Sequence, residues 1–226
     1  MHTSYASKGS IYCELCSLCE IIDDTLEALG VYMVGKTVIG TNKSINNAAA
    51  ATYTGDIFMG KLPYIHIVKE TWFKYHMHNL LKAYTNDIEK NKWQYCVVVK
   101  EQEESSIAIH EAWHVIESLI EQVYINVNIP EVDKAFSIYG QRSFVAYNKV
   151  RKETEDVQRA VLPSRYAGTN EREMHAECFV EWMLKAKTEW HPMTIILDTY
   201  FEAYVDILPI VQQYLNNEYR KIKGGV

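Results

Sequence analysis

Ile107-Ala-Ile-His110-Glu111-Ala-Trp-His114-Val-Ile116 sets two histidines four residues apart, with a glutamate directly after the first. On a helix of about 3.6 residues per turn, positions i and i+4 lie one above the other, so both imidazoles can reach a common point. Glu111 falls about 100° further round, off the histidines' line but close enough to hold a water beside them. A histidine pair at this spacing with an intervening carboxylate suits a metal ion and a base. Two surface histidines sharing a face are the plain alternative, and the surroundings have to decide.

With His110 at the zero of a helical wheel, His114, Glu117, Ser118 and Glu121 fall within about one third of the circle, with Glu111 at its edge. Ile109, Ala112, Trp113, Ile116, Leu119, Ile120 and Val123 fill the opposite side. The pattern predicts an amphipathic helix over roughly residues 105 to 123, begun by Ser105 or Ser106 as capping residues. Just upstream, Tyr95-Cys-Val-Val-Val99 reads as a buried strand.

A catalytic zinc keeps three protein ligands and an open position, so two histidines need a partner. A second helix starts near Thr169 or Asn170, after the loop Leu162–Asn170, and carries Glu171, Glu173, His175, Glu177 and Glu181. With Glu173 at zero, Glu177 lies at about 40°, beside Ala176, Val180 and Leu184. Both carboxylates therefore face the core, where burial without partners is costly and a metal with its histidines would compensate. His175 lies about 160° from Glu177 and is rejected on geometry. Glu171 and Glu181 are expected on the solvent side. For Glu171 a favourable interaction with the helix start is role enough.

The chain of 226 residues is long enough to bury a substantial core. It reads as an N-terminal subdomain or extension over residues 1–60 and a catalytic domain over 61–226, with the polar, then alanine-rich stretch from Gly40 to Ala51 as the weakest join. A net charge of −6 argues against a nucleic-acid partner. No apolar run is long enough to cross a bilayer, and the first ten residues lack the apolar core of a signal peptide, which makes the cytoplasm of the producing cell the default location. Cys13, Cys16 and Cys19 are too closely spaced for a disulfide framework and, like Cys96 and Cys178, read as reduced thiols acting as small apolar residues. Residues 11–29 carry helical periodicity and stop at Gly30. Val31–Val34 and Thr37–Ile39 suggest a short strand pair, Pro63–Val68 a strand, and Tyr124–Ile129 alternates. A helix is expected over 70–91, on which His76 and His78 diverge too far to share an ion. The charged run Asn148–Asp156 reads as a solvated helix face.

Together these residues resemble a known family. The H-E-x-x-H pattern followed on a later helix by a ligand glutamate is similar to the gluzincin metallopeptidases. Tyr166-Ala-Gly-Thr-Asn-Glu-Arg-Glu173-Met-His-Ala-Glu177-Cys-Phe179 looks most like the catalytic-domain family of anthrax lethal factor, whose stretch runs Tyr-x-x-Thr-Asn-Glu-x-Glu-Phe-Phe-Ala-Glu-Ala-Phe. Met174 and His175 replace two aromatics and Cys178 an alanine, departures that spare the metal triad but bear on substrate preference. The likeness covers residues 95–185, and the first 90 residues carry none. It implies a zincin-like α+β fold, mostly helical, with a small mixed sheet packed on the H-E-x-x-H helix. It also implies Zn2+ on His110, His114 and Glu173, Glu177 behind a ligand histidine, Tyr166 as oxyanion donor and Glu111 as general base. The expected partner is a protein or peptide substrate. A non-catalytic zincin-like domain that binds a protein partner or serves an assembly is the alternative.

Overall fold

In the computed structural model, residues 10–39, 50–67, 82, 85–86, 90 and 92–224 are described. α1 (Ser10–Ala28) ends where Gly30 adopts a left-handed backbone, φ 70°. There the Gly30 amide donates to Glu27 O at 2.9 Å and the Val31 amide to Leu26 O at 2.7 Å, the paired bonds of a Schellman cap. Residues 31–34 are not the expected strand. One side chain takes their polar groups: Gln212 Oε1 accepts from the Tyr32 and Met33 amides at 2.7 and 3.0 Å, and its Nε2 donates to Gly30 O at 2.8 Å. With their amides satisfied in this way, these residues need no strand partner.

Three short strands follow, β1 (Val38–Ile39), β2 (Ala50–Tyr53) and β3 (Tyr64–Ile67). They form a mixed sheet in the order β1-β3-β2, β1 parallel and β2 antiparallel to β3. β3 is the strand expected from Pro63–Val68, and its register sets Thr52 opposite Ile65. Residues 40–49 of the expected join lie outside the described residues, as do His76, His78 and most of the helix expected over 70–91.

The remainder is helical: α2 (Glu103–Asn126), α3 (Pro130–Ala135), a π-helical turn over Phe136–Gly140, α4 (Gln141–Val150), α5 (Glu155–Val161), α6 (Glu171–Leu184) and α7 (Pro192–Gly224). Mostly helical with a small mixed sheet, the architecture is α+β. Among the described residues no helix is long and apolar enough to cross a membrane.

α2 carries His110 and His114 and is the centre of the packing, with α1, β2, α6 and α7 against it. Its Trp113 is fully buried, its ring centroid 4.5 Å from that of Phe179 on α6 and 4.9 Å from that of Phe201 on α7. The polar arc is buried too: Glu111, Glu117 and Ser118 are only 7, 9 and 4 % exposed. An arc of carboxylates and imidazoles turned inward needs partners there, and the elements packed on α2 supply them.

Three local expectations give way to long-range contacts. α2 starts before Ser105, and neither serine caps it. Instead Ser106 Oγ donates to Gln102 O at 2.8 Å and accepts the Val99 amide at 3.1 Å, fastening the preceding turn. Tyr124–Ile129 is not a strand, because α2 runs on to Asn126 with Tyr124 stacked on Phe136 at 4.0 Å. Residues 95–99 are buried at Val97 and Val98 as expected but form no strand. Their segment pairs with the loop before α6, through Arg165 N–H to Gln94 O at 3.0 Å and Tyr166 N–H to Tyr95 O at 2.7 Å. The charged run Asn148–Asp156 lies largely at the surface, as the end of α4 and a turn into α5 rather than one helix face.

Candidate metal centre

α6 opens as its sequence predicts. Asn170 is the capping residue, and its side chain accepts the Glu173 amide at 3.1 Å. This cap fixes the first turn and carries Glu173 to the face of α2 where both histidines emerge. His110 Nε2 lies 3.1 Å and His114 Nε2 3.3 Å from Glu173 Oε2, and the two nitrogens are 3.3 Å apart. Zinc bonds of about 2.0–2.1 Å in a tetrahedron require donor separations of about 3.3–3.4 Å. The triangle therefore fits such an ion, and among the described residues it is the group of histidine, cysteine and acidic side chains placed to hold one. The three side chains remain 13, 16 and 18 % exposed, so a fourth position can be reached from outside.

Behind the triangle sits Glu177, 1 % exposed. His110 Nδ1 donates to its Oε1 at 2.8 Å, while its Oε2 accepts from Ser164 Oγ at 2.6 Å and from the Val97 amide. One carboxylate thus holds the His110 tautomer, the loop before α6 and the bent 95–99 segment. Fixing Nδ1 as the protonated nitrogen leaves the Nε2 lone pair for a cation. The buried carboxylate is satisfied by all three donors.

The electrostatics follow from these contacts. Burial works to lower the His110 pKa, but Glu173 and Glu177 outweigh it and push the imidazole up to about 10. Burial works to raise Glu173, and its hydrogen bonds with His110 and His114 win, holding the carboxyl well below the usual range. The site binds either a proton on His110 or a cation in its place. Burial, reinforced by the charge on Glu173, raises the Tyr166 phenol and keeps it a hydrogen-bond donor at neutral pH. The Tyr166 ring lies against His110, centroids 6.0 Å apart and planes 26° from parallel.

Glu111 is held from the sheet. Thr52 Oγ1 lies 2.7 Å from Glu111 Oε2 and 3.0 Å from its backbone oxygen. β2 therefore aims the carboxylate, and no sequence signal marks Thr52, because the contact spans 59 positions. The Val97 amide was equally invisible, 80 positions from Glu177, and Ser164, although only 13 positions away, reaches Glu177 through the fold of the loop before α6.

His175 is absent from the triangle, as expected. Its Nδ1 donates to Glu117 Oε1 at 2.7 Å and its Nε2 meets Ser143 Oγ, a separate buried cluster the wheel did not foresee. Glu181 corrects an expectation: it is fully buried rather than solvent-facing. Its carboxylate accepts from Lys185 Nζ, the His191 amide, His191 Nδ1 and Thr194 Oγ1 at 2.7–2.9 Å, which clamps α6 to the start of α7. Glu171 is half-buried and accepts from Ser143 Oγ at 3.2 Å. Cys178 is buried on α6, and Cys19 and Cys96 are partly so.

Comparison with protein-family models, with curated proteins and with solved structures finds no match for this chain.

Proposed function

We propose that the chain is a zinc-dependent metallopeptidase with a zincin-like fold, acting on a protein or peptide substrate. The observation that carries this reading is the convergence of His110, His114 and Glu173 at zinc-compatible separations, with the Tyr166 ring against His110 and the Glu111 charge acting on the same imidazole. His110, His114 and Glu173 would hold the ion, which when bound supplies a Lewis acid for a carbonyl and brings the pKa of water towards about 7. Glu111, aimed by Thr52, takes a proton from the attacking water and returns it to the leaving amine. Tyr166 donates to the oxygen that becomes negative as the peptide carbonyl turns tetrahedral. Glu177 keeps His110 in the tautomer that leaves Nε2 unprotonated. The net charge of −6 agrees with a protein or peptide substrate rather than nucleic acid.

Comparing the parent with Glu111→Gln on a peptide library and a whole-proteome digest tests this. The expected result is a loss of turnover of at least about 10²- to 10⁴-fold, with zinc stoichiometry near one in both proteins. Equal cleavage by the two proteins, or no zinc in either, refutes it.

A further inference from the structure

α2 does not stop being polar after His114. One turn on, Glu117 and then Glu121 continue the same face and enter a cavity of about 470 Å³ lying among α2, the Phe136–Gly140 turn, α4, α6 and α7. The size is that of a small-molecule or side-chain pocket. Its acid groups are Glu117, Glu121 and Glu171, and its fixed cation is Arg172. Arg172 is committed to Glu121 at 2.5 Å, and Glu117 to His175 at 2.7 Å. Glu171 has the Ser143 hydroxyl at 3.2 Å, and its nearest cationic partner among the described residues is His175 Nε2 at 3.9 Å. The walls are aromatic: Phe136, Phe144, Tyr200 and Tyr204, with Tyr124 stacked on Phe136.

One lip of the cavity is the π-helical turn Phe136–Gly140. Such turns are energetically poor and occur frequently at functional sites, where the bulge redirects side chains. Here it delivers Phe136, Ser137 and Gly140 to the lining. The mouth of the cavity is apolar, with the lining residues Phe144 and Val145 56 and 67 % exposed and Ile138 of the turn 39 % exposed.

The buried Ser143–His175–Glu117 chain has the order of a nucleophile, base and orienting acid. Ser143 is fully buried, however, and does not line the cavity, so no reacting carbonyl reaches it. The serine instead pins the His175 ring between itself and Glu117, making a rigid floor.

The charge balance then selects the ligand. An anion would meet Glu171 and Glu121. A neutral apolar group would strip water from Glu171 and return no partner. We propose that this cavity binds an organic cation, a primary ammonium or a guanidinium on a short apolar stem, with the charge against Glu171 and the stem among the aromatic rings. The source is either a free amine or a lysine or arginine side chain presented on a peptide. None of His110, His114 or Glu173 takes part, so recognition here survives loss of the metal.

The test is calorimetric titration of the full chain, treated with chelator, with n-hexylammonium, 1-hexanol and the peptides acetyl-Leu-Lys-Leu-amide and acetyl-Leu-norleucine-Leu-amide. Each cation is expected to bind at least about tenfold more tightly than its neutral counterpart. Glu171→Gln should erase that preference, and Phe144→Ala, at an exposed wall position that leaves the core intact, should weaken both cations about threefold or more. Tighter binding of hexylammonium than of the lysine peptide supports a free-amine ligand, and the reverse order a peptide ligand. Equal binding of cation and neutral probe, or an unchanged preference in Glu171→Gln, overturns the proposal and leaves a packing void.

Discussion

Replacing Glu177 with glutamine removes a charge and almost no volume, yet the contacts around it predict a large effect on the candidate metal site. Glu177 Oε2 accepts two hydrogen bonds, from Ser164 Oγ at 2.6 Å and from the Val97 amide, and Oε1 accepts one from His110 Nδ1 at 2.8 Å. A glutamine has one carbonyl oxygen. Turned towards Ser164 and the Val97 amide, it presents its amide N–H groups to His110 and forces that ring to protonate Nε2 instead of Nδ1. Turned the other way, it faces two donors with a third. The first arrangement is the cheaper one, and it removes the lone pair that would face a cation. Losing the partner of a metal-ligating histidine typically costs about 10- to 100-fold in affinity, or about 1.4–2.7 kcal/mol. The mismatch itself should destabilise the protein by about 1–3 kcal/mol, or roughly 2–12 °C in a chain of this size. Competition with a chromophoric chelator measures the zinc affinity, and long-range nitrogen–proton correlation spectra report the tautomer of His110 directly. If Glu177→Gln binds zinc as tightly as the parent with Nδ1 still protonated, the assignment of Glu177 as the residue that fixes the tautomer is wrong.

Other outcomes follow from the same contacts. Tyr166→Phe keeps the ring against His110 but removes the hydroxyl, so peptide cleavage should fall about 10²- to 10³-fold at unchanged zinc content; a normal kcat would exclude the donor role. Trp113→Ala empties the centre of the aromatic core and should cost about 3–5 kcal/mol in chemical denaturation, and a loss below 1 kcal/mol would contradict the packing described. Burial works to raise the Glu181 pKa, but His191 and Lys185 bring it down from 4.5 to about 2. A carboxyl depressed in the folded state contributes its stability above the unfolded value and loses it as pH falls towards the folded one. Glu181→Gln should therefore be less stable than the parent by on the order of 3 kcal/mol at neutral pH, with the gap closing between about pH 4.5 and 2. A pH-independent gap in urea midpoints would show that the charge is not the source.

How far the residues foretold this molecule depends on the range of each interaction. His110 and His114 share a face because helical rise is a local property, and the same holds for Glu173 and Glu177 on α6. Asn170 caps α6 and Gly30 ends α1 for reasons contained within a few positions of the chain. Those features were legible, and with them the three side chains of the candidate metal centre. The strand expected at 95–99 was not to be had from its valines. The Val97 amide is claimed by Glu177, and the Gln94 and Tyr95 carbonyls accept from amides of the loop before α6, partners some 70–80 positions away. Thr52 reaches Glu111 only because β2 is laid against α2. Glu181 seemed to belong to water on a wheel that knows one helix at a time, and α7 buries it. Periodicity tells which side of a rod each residue occupies, since that follows from backbone geometry alone. Which other rod meets that side, and whether a carboxylate there finds a histidine, a lysine or a cavity, is settled by packing between distant segments, and packing leaves no local mark.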